Sequence, residues 1–264
     1  MKISKIILYN EPSVSKLNLK NIQKFIMQTF GINSEIRENI FKKLNEKECE
    51  KIANTRVFDL KKPFQKHKPS FKEISMESEN LDMSREKEIP IYDGIEMNKV
   101  IEEITPVAEN IENILHIIFT NKLTGTFDFD DYKYHARAWV GSNPIIISTT
   151  GIIEAPAKPK QYYMDLVTNF SNELEETIRE KYKGEFLEYD DDRLPEIIEG
   201  YLLQSIMYYE TGDAFCNDAQ CRLFNAHWQK DLFISQIKNQ SLCCLLYTSP
   251  SPRDQRGSRM PSSD

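Results

Sequence analysis

The sequence of 264 residues has little that suits a membrane protein, a secreted disulfide-stabilised domain or a nucleotide-binding fold. No stretch approaches the roughly 18 consecutive apolar residues that a membrane-spanning helix needs, and the N-terminus carries no small-residue cleavage signal. Five cysteines do not suggest a disulfide framework in a chain of this size, so reduced thiols or metal ligands in the cytoplasm are expected. The Gly-rich phosphate loop, the G-x-S-x-G motif and the dinucleotide fingerprint are also missing.

The chain has fewer positively charged residues than negatively charged ones. The chain has 34 Lys and Arg against 41 Asp and Glu, a formal net charge of −7. Binding to nucleic acid needs a dense cationic face, so this balance argues against a nucleic-acid partner. No membrane contact is expected, and the sequence leaves both a peptide or protein partner and the oligomeric state open.

Apolar periodicity predicts an α/β fold, or α+β as the alternative, in which a mixed sheet is backed by helices. The predicted strands cover residues 5–9, 114–120, 134–140 and 144–150. The predicted helices cover residues 18–30, 38–53, 159–183, 195–211 and 226–239. Gly31 and Gly212 are expected to end the helices that precede them, and Pro195 is expected in the first turn of its helix.

Composition divides the chain into four predicted parts. Residues 1–59 read as an N-terminal α/β part, and the charged residues 60–95 as an insertion or linker. Residues 96–243 form the predicted core. Residues 244–264 are rich in Ser, Pro and Arg, which predicts a disordered tail or non-native sequence similar to translated sequencing adapters. On the second reading, the natural chain is expected to be cut near Cys243 or Cys244.

The segment "GDAFCNDAQCRLFNAHWQ" (212–229) contains a Cys-x4-Cys pair, Cys216 and Cys221. Two thiolates at such a turn can bind one zinc ion, and a structural zinc site takes four ligands. The remaining candidates are Cys243 and either His227 or Cys244. The alternative is that these residues are reduced thiols packed in a turn.

Three segments carry a family resemblance: "HIIFTNKLTGTFDFDDYKYHAR" (116–137), "STTGIIEAPAKPKQYY" (148–163) and the cysteine segment. Together they resemble an archaeal family of metallopeptidases, which is in turn similar to the archaemetzincins. The resemblance implies a zincin-like core over residues 96–243 and zinc as the cofactor. It also implies that Cys216 and Cys221 belong to a structural, all-cysteine zinc site.

This sequence differs from the metzincin pattern at the positions where a metzincin carries the zinc-binding motif H-E-x-x-H. Counting back from Gly212, Ser205 and Tyr209 stand at the two histidine positions and Ile206 at the glutamate position. Phe215 stands at the third ligand position and Leu223 at the methionine of the Met-turn. The resemblance therefore implies a metallopeptidase-like protein without the usual catalytic motif. A non-enzymatic, zinc-stabilised protein that binds peptides or proteins is the alternative.

Other residues could hold a different metal. His116 and His135 fall in predicted strands, with acidic residues at 128, 130 and 131 between them. The alternative is hydrogen-bonded histidines beside a solvated acidic turn. Glu154, which Pro156 and Pro159 follow, and Glu210, near the end of a predicted helix, are further acid/base candidates, with a loop role and a surface position as their alternatives.

Overall fold

The computed structural model describes residues 2–168 and 172–243, without the side chains of residues 172–174. The strands are β1 (Lys5–Tyr9), β2 (Asn33–Arg37), β3 (Ile91–Asp93), β4 (Ile114–Thr120), β5 (Leu123–Asp128), β6 (Lys133–Arg137), β7 (Trp139–Val140) and β8 (Ile145–Ser148). The α-helices are α1 (Leu19–Phe30), α2 (Glu46–Ala53), α3 (Phe71–Ser78), α4 (Gly94–Ile104), α5 (Thr149–Glu154), α6 (Lys160–Thr168), α7 (Asn172–Lys181), α8 (Leu194–Thr211) and α9 (Gln229–Phe233). Short 3₁₀ segments cover Ile40–Lys43 and Val107–Glu109, and a π-helical segment covers Ile234–Asn239. The predicted tail, including Cys244, lies outside the described residues.

Two sheets organise the described chain. The larger has the strand order β2-β1-β4-β8-β7, in which β7 at the edge runs antiparallel to β8 and the other neighbours are parallel. The smaller has the order β3-β5-β6, with β5 and β6 forming an antiparallel hairpin. The prediction of an α/β fold with a mixed sheet backed by helices is therefore confirmed.

Helices cover both faces of the larger sheet, so its central strands are apolar on both sides. On β1, Ile6 and Leu8 pack in the cluster that includes side chains of α1 and α8. Ile7 and Tyr9 point the other way, into the cluster that includes side chains of α2 and α4. This alternation along one strand divides the core into two layers.

The predicted ends of α1 and α8 are confirmed. The Asn18 side chain caps the first turn of α1, and Gly31 ends it in a left-handed conformation with φ of 67°. Pro195 lies in the first turn of α8, and Gly212 ends that helix with φ of 89°.

Two helix predictions are wrong in their extent. The helix predicted at 38–53 is a 3₁₀ turn followed by α2, because Asn45 takes an extended conformation and forms a capping box with Glu48. The helix predicted at 159–183 is α6 and α7. Asp165 accepts hydrogen bonds from Lys181 Nζ at 2.6 Å and from Tyr182 Oη at 2.9 Å. A straight helix would separate positions 165 and 181 by about 24 Å. Residues 169–171, inside the predicted helix, lie outside the described residues.

The strand predicted at 134–140 serves both sheets, because the chain leaves the smaller sheet after Arg137 and enters the larger one at Trp139. A short connection joins β7 to β8 in an antiparallel hairpin, with Trp139 opposite Ile147. The sequence does not predict strands β2, β3 and β5.

The segment 60–95 contains α3 and β3. Glu77 of α3 is 1% exposed and accepts a 2.7 Å hydrogen bond from Lys122 Nζ, so the segment packs against the predicted core. The domain boundaries remain a prediction. None of the described helices combines the length and apolarity needed to cross a bilayer.

Candidate functional site

Three cysteine thiols converge just beyond the end of α8. The sulfur atoms of Cys216, Cys221 and Cys243 all lie within 4.8 Å of one another, and Cys216 Sγ is 3.6 Å from Cys243 Sγ. Backbone hydrogen bonds hold the three segments of the site together: Cys216 N–H donates to Leu223 O, and Arg222 N–H donates to Ser241 O. The structure therefore brings together three of the residues that the sequence offers as metal ligands.

Backbone amides surround the sulfur atoms of this cluster. The N–H groups of Leu223 and Cys243 each lie 3.5 Å from Cys221 Sγ, and Asp218 N–H lies 3.4 Å from Cys216 Sγ. Hydrogen-bond donors at these distances stabilise the charged thiolate form of a cysteine relative to its neutral thiol form. Burial raises the pKa of the Cys221 thiol to about 11, so a metal ion binding there has to displace its proton. Three thiols of this kind suit a soft, tetrahedral cation that takes one more ligand.

His227, a predicted fourth ligand, does not join this cluster. Its backbone carbonyl accepts the Ala157 N–H at 2.8 Å, and the neighbouring Trp228 forms a bridge with Ala157. This pairing carries the His227 imidazole into a separate cleft. The other alternative for the fourth ligand, Cys244, lies outside the described residues.

The cleft is a cavity of about 460 Å³ between the edge of the larger sheet, α8 and the loop that carries Cys216. Its polar and aromatic lining comes from Thr126, Arg137, Trp139, Tyr201, Phe215, Asn225 and His227. Its lining contains no carboxylate side chain among the described residues.

Trp139 forms the inner wall of this cleft. Its indole N–H donates a 2.9 Å hydrogen bond to Ser205 Oγ, and Ser205 in turn donates to the Tyr201 carbonyl at 2.7 Å. The ring makes edge-to-face contacts with Tyr208 and Phe215, with centroids 5.2 and 5.7 Å away. A Cβ at Gly141 would overlap the indole, so glycine is required there. Trp139 thus fills the space between α8 and Phe215.

Contacts within the fold also engage the other residues that the family resemblance places at positions of the metzincin motif. Tyr209 Oη donates to the Glu112 carbonyl at 3.0 Å, which draws this side chain away from Ser205. Ile206 is 1% exposed in the main core, and Leu223 packs beside Cys221.

His116 and His135 lie in different sheets and do not share a site. His116 is buried, its Nε2–H donates to the Glu109 carbonyl, and its Nδ1 accepts from Tyr9 Oη. Burial lowers the pKa of His116, so the ring stays neutral with both nitrogens engaged. His135 lies at the β5–β6 hairpin, with Nε2 2.7 Å from Asp131 Oδ2.

The two predicted acid/base candidates have local partners. Glu154 forms a 3.4 Å ion pair with Lys158 at the end of α5. Glu210 accepts the backbone N–H groups of Lys2 and Ile3 at 2.7 and 2.8 Å, so it fixes the start of the chain to α8. Neither lines the cleft. The sequence reasoning missed Trp139, although a small residue at 205 and a glycine at 141 are what its ring requires.

Comparison with curated proteins and with solved structures yields no match. A family model does match residues 2–245, which is nearly the whole chain, and its description is "Probable metallopeptidase family (DUF6775)". A group of three cysteines that could hold a metal accompanies that match, with Cys216 and Cys221 on the loop after α8 and Cys243 after the π-helical segment. The chain therefore belongs to the probable metallopeptidase family DUF6775.

Proposed function

We propose that this protein binds peptides in the Trp139 cleft, that zinc at Cys216, Cys221 and Cys243 stabilises the loop forming one wall, and that the H-E-x-x-H chemistry of metzincins is not retained. The observation that carries the proposal is the indole of Trp139, which occupies the space beside Ser205 and Phe215. The spacing of Gly212 from the cysteines supports an archaemetzincin-like ancestry for this loop.

Zinc is proposed for the cysteine cluster because of its donors. Thiolate ligands select zinc over hard cations, and the amide N–H groups around Cys221 and Cys216 would compensate the negative charge of the bound sulfurs. A reducing compartment such as the cytoplasm would keep these thiols available. Since the loop from Gly212 to Phe215 leads directly into this cluster, bound zinc would fix Phe215 in the cleft wall.

Catalysis by a metal in the cleft is disfavoured by its lining. A zinc hydrolase needs about three protein ligands, an open coordination position and a general base. In the described part of the chain the cleft wall offers one imidazole, His227, and no carboxylate. Ser205 is already engaged with Trp139 and with the Tyr201 carbonyl.

The edge strand offers a peptide an extended partner. Ser148 N–H donates to Ala138 O, so the carbonyl of Ala138 faces β8 one residue before the Trp139–Ile147 pair. Because hydrogen-bonded positions alternate, the N–H and C=O of Trp139 point away from β8. An added strand could pair with these groups, as in other complexes formed by strand addition.

The charge of the cleft favours an acidic peptide. Arg137 donates to Thr126 Oγ1 at 2.7 Å and forms no salt bridge within the described residues. Burial raises the pKa of Tyr201, so its hydroxyl remains a hydrogen-bond donor at neutral pH. We therefore expect a peptide with an acidic side chain near an aromatic or aliphatic one.

The zinc proposal is tested with Co²⁺ as a spectroscopic substitute in the full chain. We expect intense thiolate-to-cobalt absorption that Cys216→Ser reduces and that added zinc removes. Cys49→Ser is the matched control, because Cys49 is buried in the other part of the core and is expected to leave the spectrum unchanged. Identical spectra from Cys216→Ser and the unsubstituted chain would refute zinc binding at this loop.

The peptide proposal is tested by fluorescence anisotropy with labelled, end-capped octapeptides. One carries central Glu residues and the other carries Lys at the same positions. We expect the acidic peptide to bind more tightly, and Arg137→Gln to weaken it by about fivefold, near 1 kcal/mol. Arg179→Gln, which removes an exposed Arg outside the cleft, is the control. Equal weakening by both substitutions, or no binding of either peptide, would count against the proposed site.

A further inference from the structure

A second group of metal-ligating side chains lies on the β5–β6 hairpin, apart from the cysteine cluster. One ligand atom from each of Asp128, Asp131 and His135 lies within 4.8 Å of the other two. An imidazole with two carboxylates is a donor set for first-row divalent metals, which combine nitrogen and oxygen ligands. The cluster therefore has both the donors and the separations of a partly formed coordination site.

The hairpin register explains why these side chains meet. Asp128 pairs with Lys133 and Thr126 pairs with His135, so these four side chains share one face of the hairpin. The chain reverses through Tyr132, whose φ of 55° is left-handed, and the turn returns Asp131 to that face. The ligands thus come from a strand, its turn and the partner strand.

The charges of the cluster are not balanced by the protein. Lys133 Nζ lies 3.0 Å from Asp131 Oδ2, and it is the one lysine or arginine paired with this group within the described residues. Asp128 accepts the Asp130 N–H and makes no ion pair in the same part of the chain. A cation with two positive charges would offset this excess of carboxylates.

We propose that Asp128, Asp131 and His135 bind a divalent first-row metal ion of the Mn²⁺ class, with water completing its coordination. This inference is independent of the peptide and zinc proposals, since the ligands differ in type and position from the thiols. The bound ion would cross-link the two strands of the hairpin. It would also add positive charge to the face that carries Thr126 and Arg137, which line the cleft.

Mn²⁺ is the probe because it prefers oxygen and nitrogen donors over thiolates and broadens the NMR signals of nearby nuclei. The full chain, freed of metal with a chelator, is titrated with MnCl₂ while ¹⁵N–¹H spectra are recorded. We expect selective broadening of residues 126–137. The Cys216→Ser variant should broaden in the same way, which separates this site from the cysteine cluster.

Three substitutions decide between a coordination site and a generally acidic turn. Asp131→Asn and His135→Gln should each weaken Mn²⁺ binding by about tenfold or more, near 1.4 kcal/mol. Asp130→Asn removes the same charge from the same turn but lies outside the ligand group, so its affinity should stay within about twofold of the unsubstituted chain. Lys133→Ala should tighten binding, because it removes a competing cation.

Three results of these experiments would count against a metal site at the hairpin. Absence of selective broadening at millimolar MnCl₂ would overturn the proposal, as would equal weakening by Asp130→Asn and Asp131→Asn. Binding that persists unchanged in His135→Gln would also overturn it, because it would show carboxylate binding without the imidazole. The three positions are partly or fully exposed, and the same spectra report whether each variant is folded.

Discussion

Replacing Glu77 by glutamine tests the packing of segment 60–95 against the core. Its carboxylate is 1% exposed and contacts Lys122 Nζ at 2.7 Å, an Arg56 Nη at 2.5 Å and Tyr92 Oη at 2.7 Å. The two cations are themselves only 4% and 9% exposed at their side chains. Glutamine fills nearly the same volume but leaves both positive charges without a buried counter-charge.

Removing one partner of a buried ion pair costs about 3–5 kcal/mol. With an m-value of about 2 kcal/mol/M, the midpoint of urea unfolding followed by circular dichroism should fall by about 2 M. Glu79→Gln is the control, since Glu79 ends the same helix on the surface and should shift the midpoint by less than about 0.3 M. Equal shifts for the two variants would refute the assignment of a buried charge network.

The same network predicts a pH dependence. Burial alone would raise the pKa of Glu77, but the charges of Lys122 and Arg56 and the bound hydrogen-bond donors outweigh it and hold this pKa below its usual value. A lowered folded-state pKa means that the stabilisation is present above the ordinary Glu value of about 4.3 and is lost as the pH falls below it. Glu77→Gln should therefore reduce the dependence of the unfolding free energy on pH in the acidic range.

If Glu77→Gln does not fold, Tyr92→Phe, which removes one hydrogen bond to the carboxylate, should cost about 1.5–3 kcal/mol.

Three further substitutions test individual contacts by thermal unfolding. Gly212→Ala should cost about 1–2 kcal/mol, because its φ of 89° is unfavourable for alanine while its surroundings are open. Gly151→Ala should cost more, about 3 kcal/mol, because the new Cβ would collide with the Arg137 carbonyl; a smaller loss than for Gly212→Ala would contradict this contact. Trp139→Phe should cost about 1 kcal/mol from the lost hydrogen bond to Ser205, and no loss would argue against that bond.

The sequence predicts those helices and strands whose bounds depend on residues within the element or directly beside it. The bounds of β4 follow from a continuous apolar run, and those of α1 and α8 from their apolar residues and the glycines at their ends. Strand β2 gives no such signal, because "NSEIR" is a polar edge strand whose place depends on pairing with β1. The split between α6 and α7 likewise depends on Asp165 meeting Lys181, a contact that helical periodicity does not encode.

In the candidate site, too, contacts between residues close in sequence are predictable, and contacts between distant parts of the chain are not. The convergence of Cys216 and Cys221 is predicted by their spacing, since four intervening residues allow both thiols to face one turn. The separation of His227 from them depends on the bridge between Ala157 and Trp228, which joins distant parts of the chain. The contact of Trp139 with Ser205 spans 66 residues and has no local signature.

The most direct test of the central claim is hydrolysis of fluorescein-labelled casein by the full chain loaded with zinc. We expect no increase in fluorescence above the zinc-containing buffer, because Trp139 and Phe215 occupy the space beside Ser205 and, among the described residues, the cleft wall supplies neither a carboxylate base nor three ligands. The Cys216→Ser variant should behave identically. Hydrolysis that a chelator abolishes and added zinc restores, in a chain of verified purity, would contradict the claim.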